Sequence, residues 1–189
     1  MQRLLVQVVG ISLALFLFSS ESFAQTEDYP IEVGGVVTTI DFRDTLGEKP
    51  LGVGGRFSYN VTKNFALDSE VTYFPQNSSG NFGQTVALVG LKAGARSETF
   101  GIFAKARPGV VHFGGDAFSA RNGTQTKFAF DVGGVLEIYP SPRVIVRIDV
   151  GDTIIPFGSD TINRGVPPFV TRPGTTHNLQ SSFGIGYRF

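Results

Sequence analysis

Charged side chains recur at every second position in several segments of this sequence, opposite a row of apolar residues. A lone buried charge is very costly, so charges that share a buried face must pair with one another. Alternation with period two puts all such charges of a segment on one face of a β-strand. The pattern therefore predicts one paired charge network, whose central members are Arg56, Glu70, Lys92, Lys105, Asp131 and Arg147.

Other reactive side chains are few. The two histidines, His112 and His177, both lie near long polar connections, and neither is followed by a serine two residues later. A hydrolase of the Ser–His–carboxylate type needs a hydroxyl within hydrogen-bond reach of its histidine. The Gly-rich segments that contain Asp116 and Asp160 are more typical of turns than of calcium sites. We predict no catalytic, cofactor-binding or metal site.

The composition excludes several classes of protein. In 189 residues, 16 Lys and Arg balance 16 Asp and Glu, so the basic excess of a nucleic-acid-binding protein is missing. The absence of cysteine excludes a disulfide framework, a thiolate zinc site, a thiol nucleophile and a lipid-modified cysteine anchor. Charged residues make up 17%, below the roughly 25% of soluble domains, whereas 18 Phe and 24 Gly favour β structure.

Residues 1–24 have the organisation of a secretory signal peptide. Arg3 precedes the apolar run Leu4–Phe18, and small residues at Ser22 and Ala24 suit cleavage before Gln25. The run is shorter than the roughly 20 residues of a membrane-spanning helix. Residues 25–189 then form the folded domain.

The remaining chain predicts an all-β fold. Eight strands are expected at 31–42, 51–61, 65–74, 85–97, 100–113, 126–139, 143–154 and 176–189. Long connections alternate with tight turns along the chain, which sorts them onto opposite rims of an eight-stranded antiparallel up-and-down transmembrane β-barrel. Ile40 and Phe42 share the parity of Glu32, so we expect a bulge or a shifted boundary in the first strand.

The two faces of the strands indicate what lies outside the barrel. The polar face is rich in glycine and sparsely charged, as a narrow lumen filled by side chains requires. By parity it also carries Glu32, Asp68, Arg96, Arg107, Glu137, Arg143, Asp149 and Arg188. A soluble lipocalin-like barrel that binds a small apolar ligand is the alternative, because it would turn the apolar face inward.

Aromatic residues gather near the ends of the strands, as in the two girdles of a membrane barrel. The girdle at the short-turn rim is predicted to contain Tyr59, Phe65, Phe100, Tyr139, Tyr187 and Phe189. The girdle at the long-loop rim is predicted to contain Phe42, Tyr73, Phe74, Phe113, Phe128 and Phe157.

The chain ends with apolar residues at alternate positions before a terminal aromatic: Phe183, Ile185, Tyr187 and Phe189. This ending resembles the C-terminal signal of bacterial outer-membrane proteins, which the β-barrel assembly machinery reads. Together with the eight-strand layout, residues 25–189 resemble a small outer-membrane β-barrel protein of the OmpA-like, porin-family type. We expect no periplasmic peptidoglycan-binding domain, because the sequence stops at the final strand.

The resemblance implies a location in the cell outer membrane, contact with outer-membrane lipid, and a structural or interaction role with at most minor porin-like conductance. It implies no cofactor and no nucleic-acid partner. The charged lumen could be a gate that exchanges partners or a packed polar plug that fixes strand register, and we favour the plug. The connection 155–175 could present an epitope to a surface partner or could be a mobile loop. A lipid-modifying hydrolase of the outer membrane is a less favoured alternative.

Overall fold

The structure is a computed structural model that describes residues 29–41, 49–75, 83–114, 126–158, 161–162, 170–171 and 174–189. The predicted signal peptide lies outside these residues. The strands are β1 Ile31–Ile40, β2 Leu51–Asn60, β3 Phe65–Phe74, β4 Gln84–Arg96, β5 Phe100–Phe113, β6 Thr126–Ser141, β7 Val144–Gly158, β8 Thr161–Ile162, β9 Val170–Thr171 and β10 Gly174–Arg188. No helix in the described ranges is long and apolar enough to cross a membrane.

Eight of these strands close into an antiparallel barrel in the order β1-β10-β7-β6-β5-β4-β3-β2. The seam joins the first and last strands, with Glu32 opposite Arg188 and Ile40 opposite Gln180. The backbone nitrogen of Phe189 donates to the carbonyl of Ile31 at 2.8 Å. Closure leaves no unpaired sheet edge, which is the condition for a sheet to cross hydrocarbon. The predicted fold class is confirmed.

The apolar face of the strands is turned outward. The side chains of Phe183 and Ile185 are 57% and 59% exposed, whereas Asp131 and Arg147 are 0% and 2% exposed. A soluble carrier would show the reverse arrangement, with an apolar cavity at the centre. The lipocalin-like alternative therefore disagrees with the structure.

Glycine is required on the inner face where β4 and β5 approach closely. A Cβ atom at Gly90 would lie 2.1 Å from the carbonyl oxygen of Ala106, and one at Gly109 would lie 2.0 Å from that of Ala87. Any other residue at these positions would force the two strands apart. The glycine-rich polar face thus reflects the tight curvature of a small barrel.

The short connections are held by hydroxyl side chains. Thr62 Oγ1 accepts hydrogen bonds from the backbone nitrogens of Asn64 and Phe65, at 3.2 and 3.1 Å. At the next turn, the Ser97 hydroxyl donates to the carbonyl of Phe100 at 2.8 Å and accepts from the backbone nitrogen of Phe100 at 3.1 Å. These turns lie at the same end of the barrel as the seam between Ile31 and Phe189, which we call the short-turn end.

The first strand differs from its prediction. It ends at Ile40, two residues before the predicted boundary, and its register with β2 and β10 shows no shift, so the strand has the shifted boundary and not the bulge. Ile40 is fully buried inside the barrel, on the same face as Glu32. The alternation of the two faces therefore continues to the end of the strand. An apolar residue can face inward there because the lumen is apolar at the long-loop end. Phe42 lies outside the described residues.

The predicted aromatic girdles need a similar correction. Tyr139 at the short-turn end, and Phe74, Phe113 and Phe157 at the long-loop end, are buried in the lumen. They have the parity of the inward-facing charges, so the pleat turns them inward. The remaining described members face outward: Tyr59, Phe65, Phe100, Tyr187 and Phe189 at one rim, and Tyr73 and Phe128 at the other.

The connection between β7 and β10 also contains secondary structure. Within this predicted loop, β8 pairs with β9, with Thr161 opposite Thr171 and Ile162 opposite Val170. The two strands form a sheet separate from the barrel. The connection therefore contains a short antiparallel ladder.

The charged barrel lumen as candidate functional site

The lumen contains a charged cluster at the short-turn end, which we call the lower cluster. Lys92 Nζ lies 2.5 Å from Glu137 Oε1 and 3.1 Å from Glu32 Oε2. Arg96 Nη2 contacts the same two carboxylates, at 3.0 Å from Glu32 and 3.3 Å from Glu137. Tyr139 donates its hydroxyl hydrogen to Glu137 at 2.7 Å and accepts from Arg96 Nε at 2.8 Å. Two cations thus hold two carboxylates that come from β1 and β6.

A second group, the central cluster, spans the barrel. Arg147 on β7 donates two parallel hydrogen bonds to Asp68 on β3, from Nη1 to Oδ1 at 2.8 Å and from Nη2 to Oδ2 at 2.9 Å. Three strands separate β7 from β3 in either direction around the barrel. The bidentate pair, a strong form of charge-assisted hydrogen bond, therefore joins opposite walls.

Two further cations complete the central cluster. Arg107 donates to Asp131 at 2.8 Å, to Asp68 at 3.0 Å and to Glu70 at 3.1 Å. Lys105 lies between Asp131, at 2.7 Å, and Asp149. Each of these side chains is at most 3% exposed. Since each cation contacts more than one carboxylate, the cluster is one network and not a set of separate pairs.

Neutral polar side chains follow toward the long-loop end. Gln180 Nε2 donates to Glu70 at 3.4 Å, and Gln180 Oε1 accepts from the Thr153 hydroxyl at 2.8 Å. Asn178 Nδ2 donates to the backbone oxygen of Thr153 at 2.8 Å. These contacts link the ionic part of the lumen to the apolar part beyond it.

The long-loop end of the lumen is closed by an apolar layer, each member of which is at most 3% exposed. Its members are Ile40, Phe74, Val86, Leu88, Val111, Phe113, Ala129, Ile155 and Phe157. The rings of Phe113 and Phe157 lie 5.8 Å apart between centroids. These side chains form an apolar section of the lumen beyond the ionic clusters.

The structure places all six residues of the predicted network inside the lumen, each at most 4% exposed: Arg56, Glu70, Lys92, Lys105, Asp131 and Arg147. Five of them take part in the ion pairs described above. Arg56 is the exception. Arg143, which parity directed into the barrel, is exposed at the turn before β7 and donates to the Tyr187 hydroxyl at 3.1 Å.

Sequence reasoning missed two parts of the site. It did not assign Tyr139 and Gln180 to the network, and it did not predict the apolar layer. The signal was present for both, because these residues have the parity of the inward-facing charges in their strands. What the sequence lacked was the height of each residue along the barrel axis.

The two histidines lie on exposed positions near the long-loop end. His177 Nδ1 is 2.5 Å from Asp152 Oδ2, and His112 Nδ1 is 2.8 Å from the Thr126 hydroxyl. Among the described residues, His177 therefore contacts a carboxylate and His112 contacts a hydroxyl, and neither histidine contacts both groups. The same residues contain no group of three or more metal-ligating side chains. Asp116 and Asp160 lie outside the described part of the chain.

The C-terminal residues form an apolar stripe on the outer surface. Phe183, Ile185, Tyr187 and Phe189 are 57%, 59%, 40% and 60% exposed. The rings of Tyr187 and Phe189 meet edge to face, with centroids 5.1 Å apart. The stripe is therefore accessible from outside the barrel.

Comparison with known proteins agrees with this architecture. The sequence matches the model of the family described as outer membrane protein beta-barrel domain over residues 10–189. The chain belongs to this family. No curated protein matches it. As a family member it is a closed eight-stranded barrel of the outer membrane, which confirms the predicted location.

The chain is also similar to solved structures at low sequence identity. The N-terminal β-barrel domain of Pseudomonas aeruginosa OprF has 11% identity and a TM-score of 0.51, with 84% of this chain and 97% of that chain covered. Neisserial surface protein A has 14% identity and a TM-score of 0.49, and Ail of Yersinia pestis has 15% and 0.47. Both of these alignments cover 84% of this chain and 96% of the other.

Proposed function

We propose that this outer-membrane barrel has a structural and interaction role, with a lumen closed by a packed polar plug and at most minor conductance. The observation that carries the proposal is the bidentate bridge between Arg147 and Asp68, which crosses the lumen from wall to wall. An eight-stranded barrel has an interior just wide enough to be filled by side chains. A filled interior supports strand register and leaves the outer surface and the loops for interactions.

A gate that opens by partner exchange is the second candidate for the lumen. Partner exchange is easiest when a carboxylate is bound to one cation and a second, unbound cation lies within reach. Here Asp68 contacts both Arg147 and Arg107, and Glu137 contacts both Lys92 and Arg96. Breaking one contact leaves the shared carboxylate held by the other cation. The apolar layer adds a second closure, so this arrangement favours the plug.

Planar bilayer recordings test the plug. The refolded barrel is expected to show no steady open level, and Arg147→Ala is expected to remain closed because the apolar layer persists. Glu98→Gln, at an exposed turn position, is the matched control. A stable open level in the unaltered protein, altered by Arg147→Ala and not by Glu98→Gln, would favour the gate and contradict the plug.

The partners of this barrel follow from its surfaces. The outward apolar face suits outer-membrane lipid, and the exposed C-terminal stripe offers the β-barrel assembly machinery a signal to read. Of the predicted loop 155–175, the part between β7 and β10, residues 159–173, includes the β8–β9 ladder and is the candidate site for a surface partner. Export through a cleaved signal peptide requires that the mature protein begin at Gln25, which mass spectrometry of the membrane-inserted protein can measure. A non-enzymatic role is supported by the described surroundings of the two histidines, in which neither has both a hydroxyl and a carboxylate partner.

A further inference from the structure

An exposed arginine at the short-turn end is held by two tyrosines. Arg143 lies in the turn between β6 and β7, and its side chain is exposed. Its Nη1 atom donates to the Tyr187 hydroxyl at 3.1 Å. The guanidinium group also hydrogen-bonds to Tyr29, whose ring centroid lies 5.7 Å from Cζ of Arg143. In the described ranges no carboxylate pairs with Arg143, so this cation is held in place without being neutralised.

The backbone supports the same arrangement. The backbone nitrogen of Arg188 donates to the carbonyl of Arg143 at 2.8 Å, which ties the turn to the last strand. The ring of Tyr29 is shared by the two arginines, since its centroid is also 6.0 Å from Cζ of Arg188. Contacts of this length between a cation and an aromatic ring are attractive. Three separate segments of the chain thus contribute Arg143, Tyr29 and Tyr187 to one group, which we call the rim site.

The side chains of the rim site offer a positive charge and free hydrogen-bond donors. A guanidinium group has five N–H donors, and the two tyrosines occupy only part of them. A tyrosine hydroxyl that accepts from arginine keeps its own hydrogen for another acceptor. Within the described part of the chain, neither the Tyr29 nor the Tyr187 hydroxyl donates to a protein group. Such a group is complementary to a phosphate, which is anionic and has several acceptor oxygens.

The rim site borders the surface that faces lipid. Tyr187 and Phe189 are 40% and 60% exposed on the outer face of the barrel, next to Arg143. Aromatic residues of this kind lie at the headgroup level of a membrane. Ile185 and Phe183 continue the exposed apolar stripe away from the rim site. The rim site therefore has the depth of a lipid headgroup, and the stripe beside it suits an acyl chain.

We propose that the rim site binds the phosphate group of one phospholipid molecule, whose acyl chains lie against the C-terminal stripe. The inference rests on the proposed contact of the outer face with outer-membrane lipid, and it adds a specific headgroup site to that contact. Charge-assisted hydrogen bonds from Arg143 hold the phosphate. Burial of apolar surface between the acyl chains and the stripe favours a phospholipid over free phosphate.

Native mass spectrometry can detect this lipid. The mature barrel is refolded in detergent micelles that contain equal amounts of dimyristoylphosphatidylglycerol and dimyristoylglycerol, which has the same acyl chains and no phosphate. We expect the barrel to retain one phosphatidylglycerol molecule in preference to the phosphate-free lipid. Equal retention of the two lipids would overturn the proposal. Displacement of phosphatidylglycerol by an excess of inorganic phosphate would overturn it as well, because the site would then recognise free phosphate.

Two substitutions separate the rim site from general attraction to a charged surface. Arg143→Gln should lower the retention of phosphatidylglycerol by about tenfold, since it removes a charge-assisted contact. Tyr187→Phe keeps this charge and should still lower retention by about threefold, because one hydroxyl is lost. Lys63→Gln is the matched control, at an exposed cation in another turn of the same end. Retention by Arg143→Gln equal to that of Lys63→Gln would contradict the proposal.

Solution NMR of the parent protein tests the site without any substitution. The Nε–H signal of Arg143 should shift when short-chain phosphatidylglycerol is added and should not shift with a diacylglycerol of the same chains. An unmoved signal would contradict the proposal even if Arg143→Gln does not fold. Insertion into phosphatidylglycerol vesicles is measured in parallel. A parent that inserts without preferring phosphatidylglycerol would refute the rim site alone, whereas a parent that does not insert would also refute the contact with lipid.

Discussion

Arg147 and Asp68 stand on opposite walls of the barrel and are joined by two parallel hydrogen bonds of 2.8 and 2.9 Å. No backbone hydrogen bond connects their strands, because three other strands lie between them on each side. The side-chain bridge is therefore a direct tie across the lumen. It limits how far the barrel can flatten or widen.

Removal of the charge of Asp68 should destabilise the barrel strongly. Asp68→Asn keeps the shape of the side chain but leaves Arg147 and Arg107 with a missing carboxylate inside the lumen. Breaking a buried pair in this way costs on the order of 3–5 kcal/mol. Urea unfolding in detergent micelles measures the loss. Glu98→Gln, at an exposed turn, should change the free energy of unfolding by less than about 0.5 kcal/mol, and an equal effect of the two variants would contradict this role for Asp68.

A methyl group at Gly90 should separate β4 from β5. The new Cβ atom of Gly90→Ala would lie 2.1 Å from a backbone oxygen that cannot rotate away. Overpacking of this kind typically costs about 1–3 kcal/mol. Gly35→Ala is the matched control, because nothing lies within 4 Å of a Cβ atom there. The midpoint of the heat-dependent mobility shift in SDS should fall for Gly90→Ala, and a fall of the same size for Gly35→Ala would argue against a specific close approach.

The apolar layer should contribute to stability through packing. Phe113 is 1% exposed and contacts Phe157, so Phe113→Ala leaves a cavity and should cost about 3–5 kcal/mol. Phe128 lies on the outer face and is 54% exposed, so Phe128→Ala should cost clearly less. Chemical unfolding of the two variants in the same micelles compares them. If Phe128→Ala were the more damaging change, the inward position of Phe113 would have no energetic role.

Deletion of Phe189 separates biogenesis from stability. The variant should reach the outer membrane at reduced levels, because the terminal aromatic of the exposed stripe is lost. Phe189→Tyr keeps a terminal aromatic and should assemble like the parent. Both variants are also refolded in micelles, where no assembly machinery acts. Normal membrane levels of the deletion variant would remove the C-terminal signal from the proposal, and a refolding defect as large as the cellular one would assign Phe189 a structural role only.

The strands and their faces could be predicted because a pleated strand alternates strictly and a membrane barrel sorts charge to one face. Lys92, Lys105 and Arg147 could be directed into the lumen on this basis alone. The choice of partners could not be predicted, because it depends on register around a closed ring. Glu70 shows this: its cross-strand neighbour is Arg56, yet it bonds to Arg107 from β5.

Position along the barrel axis was the other missing quantity. Phe74 and Phe113 have the parity of lumen residues, but as aromatics at strand ends they also fit an outer girdle. The parity of these residues predicts an inward position, whereas aromatic enrichment at strand ends predicts an outward one. Parity was correct, because a strand cannot change faces without a bulge. The inward position predicted for Arg143 was wrong, because this residue lies in a turn, where the alternation of a strand no longer applies.

The seam between β1 and β10 has a consequence for how this protein is made. Thr38 and Ser182, hydrogen-bonded across it, are 144 positions apart in the chain. The ring cannot be completed until the C-terminal strand is available, and every earlier state carries two unpaired strand borders that invite association with other chains. The nascent polypeptide must therefore be shielded until β10 is in place.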